Sequence, residues 1–458
     1  MVPTACVPAE RPRWARCVPT VSDFARPVRG HHYSLGTIGS YMELVLSAPC
    51  SGRAAASVLK QFVPLLPGLP ETPCANTGRT WLFRLGLYEL LCAKEVGDDW
   101  VWLADHTVQL GSHKGLIVVG LRSSLWQQSP RPLEHEDVRL LCLEPTEHSG
   151  GRTVQMQLEQ VVAKTGIPRQ VVIDGGPDLK RGVRLFCQSH PGIAQTYDVK
   201  HKMALLLKKE LEGDGDWDKY VSQANLARRG LTLTSAGFLV PPGLQTKARY
   251  MNVDRLVAWG QKIVGYLDHP REVPGSAVDR RLVESRLGWL RGYRRRLVEW
   301  SALLAVAQTT EHYVRHQGLH AQSTDQLHAQ LEPLAACRRS GRMKDLVLQF
   351  VSQQASAARP HERLIGSTEV LESIIGKYKR LQSMHSAGGM TGMILSIGAI
   401  VGPKSLDTMP TALQQVSNSD VRQWCREQLG VTLQAQRKRA FPTEQKRPPK
   451  QLTRLGSF

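Results

Sequence analysis

The chain has 458 residues, 41% of them hydrophobic, enough for about two to four domains with buried cores. Its formal charge of +19 and isoelectric point near 9.7 point to a polyanionic partner, most often nucleic acid, against the plainer account of a lysine- and arginine-solvated surface. Nine cysteines, odd in number and without CxxC spacing, exclude a disulfide framework and a zinc ribbon, which leaves reduced thiols in a cytoplasmic setting.

The first thirty-odd residues (1–33) are rich in proline and arginine and lack periodicity, so they read as a flexible arm; without an apolar stretch they do not read as a signal peptide. Helical spacing then begins at SLGTIGSYMELVLSAP (34–49). Ser51 can cap a second helix, GRAAASVLKQF, and Asn76 or Thr77 can open a third, GRTWLFRLG, that Gly86 can close. Short helices joined by turns, with Arg79 and Arg84 on the last, suit a helix-turn-helix DNA-binding unit over 34–95. An ordinary small helical bundle fits the same pattern.

From Asp99 the period changes. WVWLADHTVQL (100–110), KGLIVVGLR (114–122) and VRLLCLEP (138–145) read as strands. RTVQMQLEQVVAKTG (152–166) reads as a helix ending on glycine, RQVVIDGG (169–176) as a buried strand, PDLKRGVRLFCQSHPG (177–192) as a helix with proline in its first turn, and IAQTYD (193–198) as a fifth strand before another helix. The order β-β-β-α-β-α-β-α predicts a mixed α/β sheet with helices packed on it. Residues 203–360 are almost wholly helical in pattern. They include an arginine-dense helix over 280–300, with seven arginines among them Arg294, Arg295 and Arg296. Ser367 or Thr368 can cap a fresh helix at 367–382. The uncharged stretch at 384–403 is too glycine-rich and polar for a membrane span and reads as a packed helix. The region 404–458 ends in a basic, proline-containing tail from Gln436, expected to be disordered and drawn to phosphate or simply solubilising.

Two acids stand out in this pattern. Asp105 sits inside the first strand, where an acid needs a compensating partner. Asp174 ends the fourth strand, which neighbours the first in sheets of this order. Metal-assisted phosphodiester chemistry needs carboxylates on rigid elements around two Mg²⁺ about 4 Å apart. An exposed edge residue and a turn opener would account for each aspartate taken alone.

The motifs together resemble the DDE/D transposases of insertion sequences, similar to Mutator-like transposases with a helical insertion. LADHT resembles their first-aspartate strand, VVIDGGPDLKRGV their second-aspartate strand and following helix, and STEVLESIIGKYK (367–379) their Ser/Thr-x-x-x-Glu helix. YDVKH, with Asp198 and His201, resembles their C/D-x-x-H motif, and the long interval from Asp174 to Glu372 leaves room for the insertion. The family usually has asparagine where this chain has Glu369.

The resemblance implies an RNase H-like core in two parts (96–202 and 361–403) around an all-α insertion (203–360). It implies Asp105, Asp174 and Glu372 as catalytic metal ligands, with Glu369 as the alternative third acid and Mg²⁺, replaceable by Mn²⁺, as cofactor. It implies a transposase that binds the inverted repeats of its element, cleaves DNA and joins the new 3′ end to target DNA, as a homo-oligomer on paired ends, in the bacterial cytoplasm on the nucleoid and away from membranes. Lys180, Arg181, Arg294, Arg295, Arg296, Lys377 and Lys379 join Arg79 and Arg84 as candidate DNA contacts. Lys377 and Lys379 read equally well as surface lysines, and Lys180 and Arg181 as a solvated face. The roles of Asp198 and His201 stay open, the histidine being as readily a backbone partner. Glu299 and Glu311 are weaker candidates for the third acid, and Trp300 more readily fills a core than stacks on a base. A purely hydrolytic RNase H-like nuclease and a catalytically decayed, transposase-derived DNA-binding protein are the rival functions.

Overall fold

The computed structural model describes residues 19–48, 50–62, 72–110, 113–128, 131–243, 253–269, 279–384, 390–401, 405–431 and 433–441. Most of the arm at 1–33 and the tail beyond Phe441 lie outside the described residues. The seven described cysteines are all free thiols. Among the described residues no helix is long and apolar enough to cross a membrane.

Three helices come first: α1 (Leu35–Leu46), α2 (Gly52–Phe62) and α3 (Ala75–Leu91). Ser34 and Ser51 cap the first two, accepting from Thr37 N and Ala54 N. Gly86 does not close α3 as the sequence predicts; the helix runs on to Leu91. The glycine serves packing instead. A Cβ there would stand 1.7 Å from the Leu395 carbonyl oxygen, so only a bare backbone lets a later helix lie against α3.

A five-stranded mixed sheet follows, with β1 (Trp100–Leu110), β2 (His113–Arg122), α4 (Ser123–Gln128), β3 (Arg139–Thr146), α5 (Gly151–Thr165), β4 (Gln170–Ile173), α6 (Pro177–Ser189) and β5 (Ala194–Tyr197) in chain order. The spatial order is β3-β2-β1-β4-β5. The first three strands form an antiparallel meander, and β4 and β5 add in parallel beyond β1. Helices cover both faces, which is why the central strands read as unbroken apolar runs. Strand alternation sorts their side chains. Trp100, Trp102, Ala104, Val171 and Ile173 face α5 and α6. Val101, Leu103 and Val172 face the other way, into a core shared with α1, α3 and the helices near the C-terminus. The N-terminal helices therefore have no core of their own.

The helical region runs through α7 (Val199–Leu211), α8 (Gly215–Leu231), α9 (Val253–Asp268), α10 (Arg280–Leu287), α11 (Arg294–Gln317), α12 (Ser323–Leu331) and α13 (Arg338–Ala355). It builds a second core around Trp217, Tyr220 and Trp300, whose two indoles meet edge to face at 5.0 Å. The single arginine-dense helix expected over 280–300 is broken into α10, a 3-10 turn at Gly288–Tyr293 and the start of α11. Gly288 and Gly292 fall in that break, where helix propensity is lowest.

The chain returns to the sheet through an antiparallel bridge between Leu319 and Leu364 and a set of polar contacts at 365–368. The buried Gln170 side chain donates to the Ile365 carbonyl and accepts from Ile365 N, and Thr196 Oγ1 also donates to that carbonyl. Helix α14 (Glu369–Ser383) then lies on the β1 side of the sheet. It is followed by α15 (Ser396–Val401), buried at every residue, and by α16 (Thr408–Gln415), α17 (Asn418–Leu429) and α18 (Leu433–Ala440).

Candidate active site

Register places three acids in a row. Ala104 of β1 is paired with Ile173 of β4, and Ile173 with Tyr197 of β5. Asp105, Asp174 and Asp198 each follow one of these residues, so they continue the ladder by one step across three parallel strands. Alternation fixes their direction. Asp105 shares a face with Leu103 and Asp174 with Val172, and that is the face covered by α14. On α14, Leu371, Ile374, Ile375 and Tyr378 enter the core, which leaves the half-buried Glu372 in the first turn beside the acid row.

The groups are close enough for their charges to act on one another. Burial, then the neighbouring charge of Asp174, push the Asp105 carboxyl up to about 7, with Glu372 adding to the effect. The His106 backbone N–H, 2.6 Å from Asp105 Oδ1, and the charge of His201 oppose it. Asp174 accepts from Gly176 N at 2.9 Å, and Gly175 adopts φ +107°, the left-handed conformation that turns the chain away beneath the carboxylate.

Glu372 is held on two sides. Lys200 Nζ lies 2.9 Å from its Oε2 and His201 Nδ1 lies 3.4 Å from its Oε1. His201 also faces Asp198 Oδ1 at 3.2 Å. That hydrogen bond, together with the charges of Asp198, Glu372 and Asp174, pushes the imidazole up to about 9 despite burial, so it is a cation at neutral pH. Burial works against charge on Asp198 as well, but hydrogen bonds from His201 and Thr368 hold its carboxyl below the usual range. Asp198, His201 and Glu372 have ligand atoms within 4.8 Å of one another, a grouping that could hold a metal ion. Asp105 and Asp174 stand outside that grouping, next to it.

No protein-family model matches the chain, and no curated protein matches it. Among solved structures it is similar to a chain of the Drosophila P element transposase strand transfer complex, at 10% identity and a TM-score of 0.30, over 88% of this chain and 83% of that one. Neither activity nor partner carries over at that level of likeness.

The remaining residues singled out by sequence are dispersed. Glu369 lies next to Glu372 in the first turn of α14 but is paired with Arg315 at 2.5 Å. Arg79 is exposed and bonded to Asn76. Arg84 is a structural residue and not a free reader of DNA: half-buried, it donates from Nε to the Val416 carbonyl at 2.5 Å and from Nη2 to the Leu413 carbonyl. Lys180 is exposed, over the Tyr197 ring at 5.2 Å, and the stem of the exposed Arg181 covers Gly151. Arg294 is paired with Asp268, and Arg296 with Asp216 and Glu299, so these two brace the helical region. Arg295, 91% exposed, makes an i,i+4 contact to Glu299. Lys377 approaches His135 Nδ1 at 3.1 Å, and Lys379 is exposed two turns beyond Glu372. Trp300 is buried in the second core and unavailable to a base.

Sequence reasoning does not reach Lys200 or Arg315, and it gives the Thr368 hydroxyl a capping role on α14, whereas that hydroxyl donates to Asp198. Lys200 sits inside the YDVKH motif, next to His201, and its proximity to Glu372 depends on a contact across 172 positions. Glu311 is a weaker candidate for the third acid. It lies on α11 near Lys200, Asp198 and Glu369, and burial pushes it up to about 7.

Proposed function

We propose that the chain is a metal-dependent DNA-cleaving and strand-joining enzyme of the transposase type, with an RNase H-like core interrupted by the helical region 203–360. The observation that carries this reading is the placement of Asp105 and Asp174 one residue beyond the last register pair of the parallel strands β1 and β4, with Glu372 of α14 over the same face. The donor set fits Mg²⁺. It consists of carboxylate oxygens on rigid elements, without thiols, and the half-buried Asp105 beside a like charge is the kind of group a cation relieves.

In this reading Asp105, Asp174 and Glu372 would hold the two Mg²⁺ ions. Bound there, the ions would stabilise charge on the attacking and leaving oxygens of an in-line displacement. Lys200 and His201 balance the carboxylates and keep Glu372 oriented. A water oxygen attacks phosphorus and gives up a proton to solvent as the P–O3′ bond breaks, and the departing O3′ takes up a proton to become a 3′-hydroxyl. That hydroxyl then loses its proton as its oxygen attacks a target phosphodiester and displaces the target 3′-oxygen, which is protonated in turn. The net charge of +19 and the exposed Arg79, Lys180, Arg181, Arg295 and Lys379 support DNA as the substrate. Recognition of element ends by residues 34–95 and action as a homo-oligomer on paired ends belong to the same reading.

The test is to incubate the protein with labelled duplex carrying the DNA that flanks its coding sequence, in Mg²⁺, in EDTA, and with Asp174→Asn. The expected products are a strand ending in a 3′-hydroxyl and a longer joined strand, both absent in EDTA and with the variant. Cleavage that survives chelation or the substitution overturns the reading, and cleavage without joining replaces it with a hydrolytic nuclease.

A further inference from the structure

Asp198 is the most deeply buried acid near the site, at 0% exposure, and its two oxygens are fully engaged by the protein. Oδ1 accepts from His201 N at 2.7 Å and from His201 Nδ1 at 3.2 Å. Oδ2 accepts from Thr368 N at 2.6 Å and from Thr368 Oγ1 at 3.0 Å. An ionised carboxylate offers about four lone-pair sites, so these bonds leave none for a metal.

The partners are as informative as their number. Thr368 is the residue before the first turn of α14, and its hydroxyl does not cap that helix; it is spent on Asp198. Asp198 itself is fixed to the sheet through its N–H to the Ile173 carbonyl. Its neighbour Val199 donates to the Gly366 carbonyl at 2.9 Å. The chain thus leaves the sheet at residue 198, forms the entire helical region, and is tied back to residue 198 just before it presents Glu372.

We propose that Asp198 is a positioning residue, which docks the start of α14 onto the end of β5 through Thr368 and orients His201, and so sets where Glu372 can reach. This rests on the reading of Glu372 as a metal ligand. It also assigns the cluster of Asp198, His201 and Glu372 a supporting role and not that of a separate metal site. A buried, charge-assisted double hydrogen bond is suited to the task, since it is directional and costly to leave half made.

The test measures Mn²⁺ bound to the full chain by electron paramagnetic resonance, as affinity and as number of ions. The variants are Thr368→Val, Thr368→Ser and Asp198→Asn. Thr368→Val should weaken Mn²⁺ binding by about 10-fold with the number of ions unchanged, as expected for loss of an outer partner, and Thr368→Ser should restore it. Asp198→Asn should weaken binding further at the same ion count; if that variant does not fold, the two Thr368 variants decide. Unchanged affinity in Thr368→Val overturns the proposal, as does loss of one ion in Asp198→Asn, which would make Asp198 a ligand. A chain that shows the expected shifts but leaves DNA uncut overturns the proposed function alone. An unaltered chain that binds no Mn²⁺ overturns both.

Discussion

Asp174 follows Ile173 as Asp105 follows Ala104, and because Ile173 and Ala104 are register partners in parallel strands, the two aspartates stand side by side at the end of the ladder. The register of β1 and β4 sets this relationship up to Ile173, and the Gly176 N–H bonded to Asp174 holds that carboxylate just beyond the end of the strand. Replacing either aspartate by asparagine, or Glu372 by glutamine, should lower Mg²⁺-dependent cleavage at least about 1,000-fold. Several kcal/mol of charge stabilisation are at stake, and each 1.36 kcal/mol is tenfold in rate. Glu369→Gln should cost less than about 10-fold, since that acid is committed to Arg315. Single-turnover cleavage rates check both.

The elevated Asp105 carboxyl makes stability depend on pH. Its ordinary value is 3.8 and the folded protein raises it to about 7, so the folded state binds the proton more tightly than the unfolded chain. Its contribution is fully present below about pH 4 and is lost as pH rises through about 7. Urea unfolding of the metal-free protein between these limits should show that loss, and Asp105→Asn should remove it. Saturating Mn²⁺ should also offset it by holding the carboxylate charged.

Lys200 competes with any cation for Glu372. Burial disfavours its charge, but the Glu372 carboxylate 2.9 Å away and the charges of Glu369 and Asp198 hold it above the usual lysine value. Removing that positive charge with Lys200→Met should therefore tighten Mn²⁺ binding roughly 10-fold, even as cleavage falls. Isothermal titration with Mn²⁺ checks the sign, and weaker binding would mean that Lys200 supports the metal site in another way.

Arg79 and Arg84 occupy one helix but should respond differently. Arg84→Ala strands the Leu413 and Val416 carbonyls and should cost about 1.5–3 kcal/mol of stability, the range for hydrogen bonds to a charged group. Arg79→Ala should change stability by less than about 0.5 kcal/mol, as an exposed side chain, and weaken DNA binding. Thermal unfolding and filter binding of the two variants separate the roles.

The sheet and its first two acids were legible in the sequence because apolar runs of strand length survive in any context, and an aspartate inside one of them is costly. Asp198 and His201 were visible as a motif, yet their work was not, because Thr368 and Glu372 meet them only after the helical region has folded. Gly86 misled for a physical reason. A glycine that ends a helix and one that admits a neighbouring backbone look identical until the neighbour, Leu395, is in place. The arginine-dense segment misled similarly: its partners Asp268 and Asp216 lie on other helices, so its charges read as free.

The central claim is that Asp105, Asp174 and Glu372 share a divalent cation site, and anomalous diffraction from crystals soaked in Mn²⁺ tests it most directly. The account predicts manganese bound by oxygens of Asp105 and Asp174, with Glu372 drawn off Lys200 toward it and Asp198 still bonded to Thr368. Manganese bound by Asp198 and His201, with Asp105 and Asp174 unligated, would contradict it.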